Sequence, residues 1–495
     1  MKILLINPPI ILPRNLGTPS PYIPLGLAYL AAELEKKDHD VSIQDILLKG
    51  WDKNEYFEGD FVYHGLSPKE ILEIVRQEKP SVVGITVPYT IQEKGAFIAA
   101  SAVKEAGQEI TTILGGSHPT IRPEDCARHE DVDLVVMGEG EKTFFEIIKQ
   151  MEIEGVHGAQ KINGVAYEEG GKVHINPPSP LIENLDSIPF PARHLLDLEA
   201  YFEASKASSG VHGVQVKSLY SPIITSRGCP YDCIFCSIDI TMGKKMRMRS
   251  PNNVVDELEE MVHRHGIRTV LFEDDNLTHN KKRILEICKQ IITRGLDIEW
   301  YNPNGIRADK LDKELLSAMK RSGCKLIWVA PESGSQRVVT EIIGKHLKLE
   351  SVEDTVKTAK KVGIKVGLFF VVGLPGETKA EMQKSLVFAQ RMRQLGASCF
   401  TFSVATPLYG TRFYKMAMEQ KLLDPTFDSN CQSPYLPSPL QKQEWTADYV
   451  QHIVEQGRRL NHPQNTKERM LCLLRNPSVV VPYIKKRLGK KSQIT

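Results

Sequence analysis

The sequence predicts an α/β protein with three parts: an N-terminal doubly wound domain around a parallel sheet, a partial (β/α)6 barrel, and a small, mostly helical C-terminal region. Three observations predict it. Short continuous Val/Ile/Leu runs, such as Ile3–Asn7 and Leu326–Ala330, alternate with helical patterns, which marks strands buried on both faces. A stretch with Pro177, Pro178, Pro180, Pro189 and Pro191 divides two such series. The residues able to do chemistry gather at the ends of the runs, where open α/β sheets and barrels hold ligands.

In the first series, residues 1–150, five strands are expected: Ile3–Asn7, Val41–Ile46, Ser81–Val87, Ile110–Leu114 and Leu134–Met137. Helical spacing is found near Leu25–Lys36, Ile71–Gln77, Gly95–Ala106 and Thr143–Gln150. The strand ends carry Asn7-Pro8-Pro9, Thr86-Val87-Pro88, Gly115-Gly116-Ser117-His118 and Gly138-Glu139-Gly140-Glu141. Residues 151–214 read as a linker. The second series, residues 215–430, is expected to hold six strands: Ile223–Thr225, Thr269–Glu273, Trp300–Asn302, Leu326–Ala330, Gly367–Val372 and Cys399–Ser403. Residues 431–495 read as an accessory region with a helix at Trp445–Arg459. Its basic tail joins Val479-Val480-Val481 to Lys485, Lys486, Arg487, Lys490 and Lys491.

A chain of 495 residues is long enough for about two to four domains. A formal net charge of +2 gives no reason to expect a nucleic-acid partner. The first apolar run is too short for a signal peptide, and no stretch reaches the length of a membrane helix. The expected location is the cytoplasm, where thiols stay reduced.

Cys229, Cys233 and Cys236 are spaced C-x3-C-x2-C, with Phe235 before the last. Three thiolates on one loop suit a soft metal centre. A [4Fe-4S] cube takes four ligands, so three cysteines leave one iron open to a small molecule. A zinc site would need a fourth ligand. The nearest candidates are His263 and His265, in an expected helix at Pro251–His265. An odd total of nine cysteines, six of them scattered singly, argues against disulfides. Those six, Cys126, Cys288, Cys324, Cys399, Cys431 and Cys472, read as small buried apolar residues. The basic run Lys244, Lys245, Arg247 and Arg249 reads as a solvated loop, with contact to an anionic substrate or a reductase as the alternative.

The cysteine loop is followed in order by Phe272-Glu273-Asp274-Asp275-Asn276, Pro331-Glu332-Ser333-Gly334-Ser335, the segment Gly367–Thr378 and the segment Ser403–Thr411. Together they resemble the radical S-adenosylmethionine (SAM) enzymes. The resemblance implies that Cys229, Cys233 and Cys236 ligate a [4Fe-4S] cluster whose open iron takes SAM. It implies that Asp274 and Asp275 meet the SAM amino group, Glu332 and Ser333 the ribose, and Gly373 the adenine. Helix caps and a tight turn account for the same strand-end residues without SAM, and both readings can hold together. The second strand end departs from the family's common Gly-Gly-Glu form. The family's chemistry is cleavage of SAM to a radical that takes hydrogen from unactivated carbon, with electrons from a donor such as flavodoxin or ferredoxin.

A doubly wound domain, a proline linker and then this barrel resemble the cobalamin-binding subclass. That implies a nucleotide tail threaded beside Gly115 and Gly116, with Thr86 hydrogen-bonding it and Gly138 and Glu139 at the neighbouring edge. The subclass often supplies histidine to cobalt from an Asp-x-His-x-x-Gly element after the first strand. Here that segment reads Asn7-Pro8-Pro9-Ile10-Ile11-Leu12-Pro13. Cobalamin is therefore expected without a histidine ligand, and His118 is expected to be packed or hydrogen-bonded. The implied activity is methylation of an unactivated carbon in a small-molecule or lipid-like substrate. Oxidative cyclisation, ring rearrangement and carbon–carbon bond formation are the enzymatic alternatives, and a cluster-bearing scaffold or sensor is the non-catalytic one. The C-terminal tail reads as solvated, with weak contact to an anionic membrane surface as its alternative.

Overall fold

The computed structural model describes residues 1–461 other than 21, 58, 208–209 and 212–213. The expected tail at 479–495 and Cys472 lie outside the described residues.

Five parallel strands, Lys2–Asn7, Asp40–Asp45, Val82–Thr86, Thr111–Gly115 and Leu134–Val136, form the first domain in the spatial order second, first, third, fourth, fifth. Leu4, Ile6, Val83 and Ile85 are buried under one helical layer and Ile3, Leu5 and Val82 under the other. Burial on both faces is why these strands read as unbroken apolar runs. Helix boundaries follow local chemistry. Ser67 caps Pro68–Glu78, Pro68 fills its first turn, and Glu70 returns a bond to the cap amide. The strand order reverses between Lys2–Asn7 and Val82–Thr86, which opens a crevice at their carboxyl ends.

Two features extend this expected core. An antiparallel hairpin, Val165–Glu169 with Lys172–Ile175, adds to Leu134–Val136 and makes the sheet seven-stranded. A ribbon of Ile10–Pro13, Asn54–Tyr56 and Phe61–His64 follows the first strand's end. The stretch read as a linker is packed against both domains. Tyr201, on the helix Leu198–Ala207, donates to Asp45 of the first sheet. Arg193 donates to Glu257 of a barrel helix at 2.6 Å, with both side chains fully buried.

Six parallel strands, Tyr220–Ile223, Thr269–Phe272, Glu299–Ile306, Cys324–Glu332, Lys365–Val372 and Cys399–Val404, pair in chain order as a partial barrel. Aromatic contacts fill its core: Phe272 lies 5.0 Å from Trp300, and Phe370 stacks on Phe402 at 4.6 Å. The C-terminal helix begins at Ala447, because Thr446 caps it and leaves Trp445 outside. Trp445 Nε1 instead donates to the Glu377 carbonyl at 2.8 Å and fastens this region to the barrel. Among the described residues no helix is long and apolar enough to cross a membrane.

Candidate cluster loop and cofactor cavity

The cysteine loop rises from the carboxyl end of the first barrel strand. Ser226–Arg227 pair antiparallel with Arg247–Met248 and pinch its base. Gly228 takes a left-handed φ of 87°, and a Cβ there would stand 2.4 Å from the Lys245 carbonyl oxygen. The Cys229 amide donates to Gly243 O at 3.2 Å, that of Ile234 to Ile343 O at 3.0 Å, and that of Phe413 back to Ile234 O at 3.0 Å. The loop is thus tied to itself and to segments after the fourth and sixth strands.

Burial raises all three thiols, Cys236 to about 12. A cationic iron centre would offset that cost of forming thiolates. Among the described residues no three His, Cys, Asp or Glu side chains are set to hold a single metal ion. A cube would take each cysteine of this one confined loop on a different iron. His263 and His265 lie just before the second strand begins, at the opposite end of the barrel, and His265 pairs with Glu260 at 3.6 Å. Phe235 is half-buried against the barrel core.

Asp274 and Asp275 face different ways. Asp274 Oδ1 accepts from the Thr225 hydroxyl at 2.7 Å, the Thr225 amide at 3.2 Å and the Ser226 hydroxyl at 2.5 Å, locking the first strand's end to the second. Its Oδ2 is buried with no partner among the described residues. Asp275 lies in the electrostatic field of Cys229 and Cys236. Burial first, and the charge of Asp274 second, push its carboxyl up to about 7. Among the described residues no cation pairs with it, so an ammonium group would suit it.

Glu332 is buried and accepts from Lys345 Nζ at 2.7 Å, beside Cys233. Ser333 accepts from the Ser335 amide at 3.1 Å and faces the Ser385 hydroxyl at 3.1 Å, so it organises the turn. The Gly373 amide donates to Glu377 at 2.8 Å, and a Cβ on Gly373 would press Val450 at 3.0 Å. The C-terminal helix thus accounts for that glycine. Sequence reasoning missed Lys345 and Arg307, whose guanidinium lies 3.9 Å over the Tyr231 ring and donates to Lys345 O at 2.8 Å.

Thr86, Gly115, Gly116, Gly138 and Glu139, expected to border cobalamin, line one cavity of about 170 Å³. The barrel contributes Ile224, Arg227 and Met242 to the same wall. A Cβ at Gly115 would meet only Val136, at 3.8 Å, and one at Gly138 nothing within 4 Å. Side chains at these positions would therefore occupy the cavity itself. Leu27, Leu30, Ile85, Ile113 and Phe144 make the slot apolar, which fits a flat heterocycle. His118 is buried and bonds Thr90 at 3.1 Å and Glu93 at 3.0 Å, the packed role expected of it.

The basic run is not a solvated loop. Arg247 and Arg249 are buried, the first on Glu139 at 2.7 Å and the second on Glu257 at 2.5 Å. Only Lys244 and Lys245 are exposed, paired with Asp232 and Glu183. The Glu139 carboxylate is engaged by Arg227 at 2.8 Å, by Arg247 and by the Ile182 amide at 2.6 Å, so it reaches the cavity as part of an ion network. Glu141 stood in a strand-end segment singled out in the sequence but had no role there, and Arg227, two residues before Cys229, had none either. An acidic strand end in one domain and an arginine beside the cysteines in the other were the signal. Cys126, Cys288 and Cys324 are buried as expected, whereas Cys399 and Cys431 are half-buried.

Residues 223–389 match the Radical SAM superfamily and residues 17–148 the B12 binding domain. An uncharacterized methyltransferase of Pyrococcus horikoshii is 36% identical over 430 residues, 86% of this chain and 84% of the relative. Cytidylyl-2-hydroxyethylphosphonate methyltransferase of Streptomyces wedmorensis is 33% identical over 454 residues, 86% of this chain and 83% of the relative. Among solved structures, the radical SAM methyltransferase TsrM of Kitasatospora setae superposes with a TM-score of 0.66 at 18% identity, covering 90% of this chain and 82% of that one. That superposition supports the fold.

Proposed function

Since the chain belongs to the cobalamin-binding radical SAM family, we infer that it is a cobalamin-dependent methyltransferase acting on an unactivated carbon of a small molecule. One observation carries the reading: the cysteine loop and the cobalamin-type cavity share a wall, since Arg227 lines that cavity and stands two residues before Cys229. Bound in these sites, the cluster and SAM supply hydrogen abstraction, and cobalamin supplies a transferable methyl group.

The residues divide the task. Cys229, Cys233 and Cys236 would hold the cluster, and Asp275 would accept the SAM ammonium group. Glu332, fixed through Oε1 by Lys345, would offer its other oxygen to the ribose hydroxyls. Gly115 and Gly138 would leave room for the cobalamin tail, and Gly116, whose Cβ would meet the Val87 backbone at 2.9 Å, borders it. The facing strand ends of the two domains hold the reactants in line and exclude water.

The named activities of the two relatives favour methyl transfer over cyclisation, ring rearrangement or carbon–carbon bond formation. The Streptomyces relative's substrate, a nucleotide-linked phosphonate by name, favours a small polar substrate over a lipid-like one. A flavodoxin- or ferredoxin-type donor would supply the electrons, in the cytoplasm. The test is incubation of reconstituted protein with methyl-deuterated SAM, reductant and candidate substrates. 5'-Deoxyadenosine together with a product carrying the labelled methyl is expected. 5'-Deoxyadenosine with an unlabelled, dehydrogenated or rearranged product would overturn methyl transfer and keep the family.

A further inference from the structure

The cobalamin-type cavity and the SAM end of the barrel are joined by two sets of buried polar contacts that meet on the backbone at Ser226-Arg227. Glu139 and Glu141 line the cavity, and Arg227, from the barrel side, donates to both, to Glu139 at 2.8 Å. Arg247, paired to Arg227 across the loop base, donates to both Glu139 oxygens at 2.8 and 2.7 Å and to the carbonyls of Ile182 and Met242, each at 2.8 Å. Immediately before Arg227, Ser226 and Thr225 donate to Asp274, the neighbour of Asp275. Immediately after it comes Gly228, then Cys229.

There is little slack in this series. Besides the 2.4 Å approach to Lys245 O, a Cβ at Gly228 would lie 2.8 Å from Gly243 O, so the backbone there is closely confined. Arg227 is adjacent to Ser226 and two residues from Cys229, so its guanidinium, the Asp274 contacts and the cysteine loop share one closely confined backbone segment. Stability alone does not account for such a joint, because buried ion pairs are often no more stabilising than apolar residues of equal volume. What the two arginines and two glutamates add is a fixed geometry between two cofactor sites.

We propose that Arg227 is a positioning residue that couples these sites. Filling the cavity beside Glu139 and Glu141 holds the clasp in one arrangement, and the held clasp sets Cys229 and Asp275 for SAM. Cobalamin therefore tightens SAM binding, and SAM tightens cobalamin binding by the same factor, because coupling between two binding equilibria is reciprocal. The inference rests on the family reading above.

The test uses the cluster-reconstituted full chain and equilibrium dialysis of labelled SAM, with and without hydroxocobalamin. Wild-type protein is expected to bind SAM about fivefold or more tightly when hydroxocobalamin is present. The double variant Arg227→Gln/Glu141→Gln removes one charge of each sign and keeps hydrogen-bonding groups, leaving Arg247 on Glu139. It is expected to keep its iron content and to bring the ratio close to one. Arg227→Lys, which keeps the charge and loses the two-pronged grip, is expected to reduce the ratio by at least about half and serves if the double variant does not fold. A ratio of one in wild type, or an unchanged ratio in the variants even with both affinities weakened, overturns the coupling. Failure of wild type to bind hydroxocobalamin or SAM at all would instead overturn the family reading.

Discussion

Lys345 Nζ donates to Glu332 Oε1 at 2.7 Å and to the Ala330 carbonyl at 2.6 Å, holding a glutamate whose backbone φ is +66°. A left-handed non-glycine residue costs on the order of 1–3 kcal/mol and persists where its surroundings hold it, commonly at functional sites. Here the holder is a buried lysine beside Cys233. Lys345→Met strands the Glu332 carboxylate and should destabilise the protein by about 3–5 kcal/mol in denaturant unfolding. Glu332→Gln keeps the shape and an acceptor. It should raise the KM for SAM severalfold while changing kcat much less.

Replacing Cys229, Cys233 or Cys236 by alanine should abolish cluster assembly and all SAM cleavage. Iron and sulfide analysis after anaerobic reconstitution, with 5'-deoxyadenosine quantified alongside, checks this. A variant with a full iron complement would remove that cysteine from the ligand set.

Gly115→Phe places a ring in the cavity. Cobalamin affinity should fall by at least about tenfold, the order expected when a site's volume is filled, while the cluster's absorbance and iron content stay as in wild type. Equal retention of cobalamin on gel filtration would show that the tail lies elsewhere.

Burial lifts the Glu377 carboxyl to about 7, against the amides of Leu374 and Gly373, which pull it down. The folded chain therefore holds this proton more tightly than the unfolded chain, where the carboxyl titrates near 4.5. Its contribution to stability is full below about 4.5 and is lost as pH rises through about 7. Glu377→Gln should remove this loss. Relative to the variant, wild type should weaken by up to roughly 3 kcal/mol between pH 4.5 and pH 8. Parallel stability–pH curves for the two would contradict it.

Much of the fold was legible because its strands are buried on both faces, so Ile3–Asn7 or Gly367–Val372 stands out without a partner strand being known. The hairpin at Val165–Glu169 and Lys172–Ile175 was not. It is a partly exposed antiparallel edge whose polar residues, such as Glu168 and Glu169, hide the strand pattern. The cysteines and cavity glycines were readable because a ligand set and close backbone approach leave local marks. The buried roles of Arg247 and Arg249 were not, since four basic residues within six positions look solvated. Glu139 lies 108 residues from Arg247, and no local pattern announces that pairing. A shorter separation also hid Lys345, thirteen residues beyond Glu332 and returned to it by the segment between them.

The central claim is that one chain holds both a cluster and cobalamin. Anaerobic purification, reconstitution with iron, sulfide and hydroxocobalamin, and metal analysis with a visible spectrum test it most directly. Iron near four per chain, as one cube requires, and cobalt near one are expected. Iron near four with no retained cobalt would contradict it and leave a radical SAM enzyme whose first domain serves another ligand.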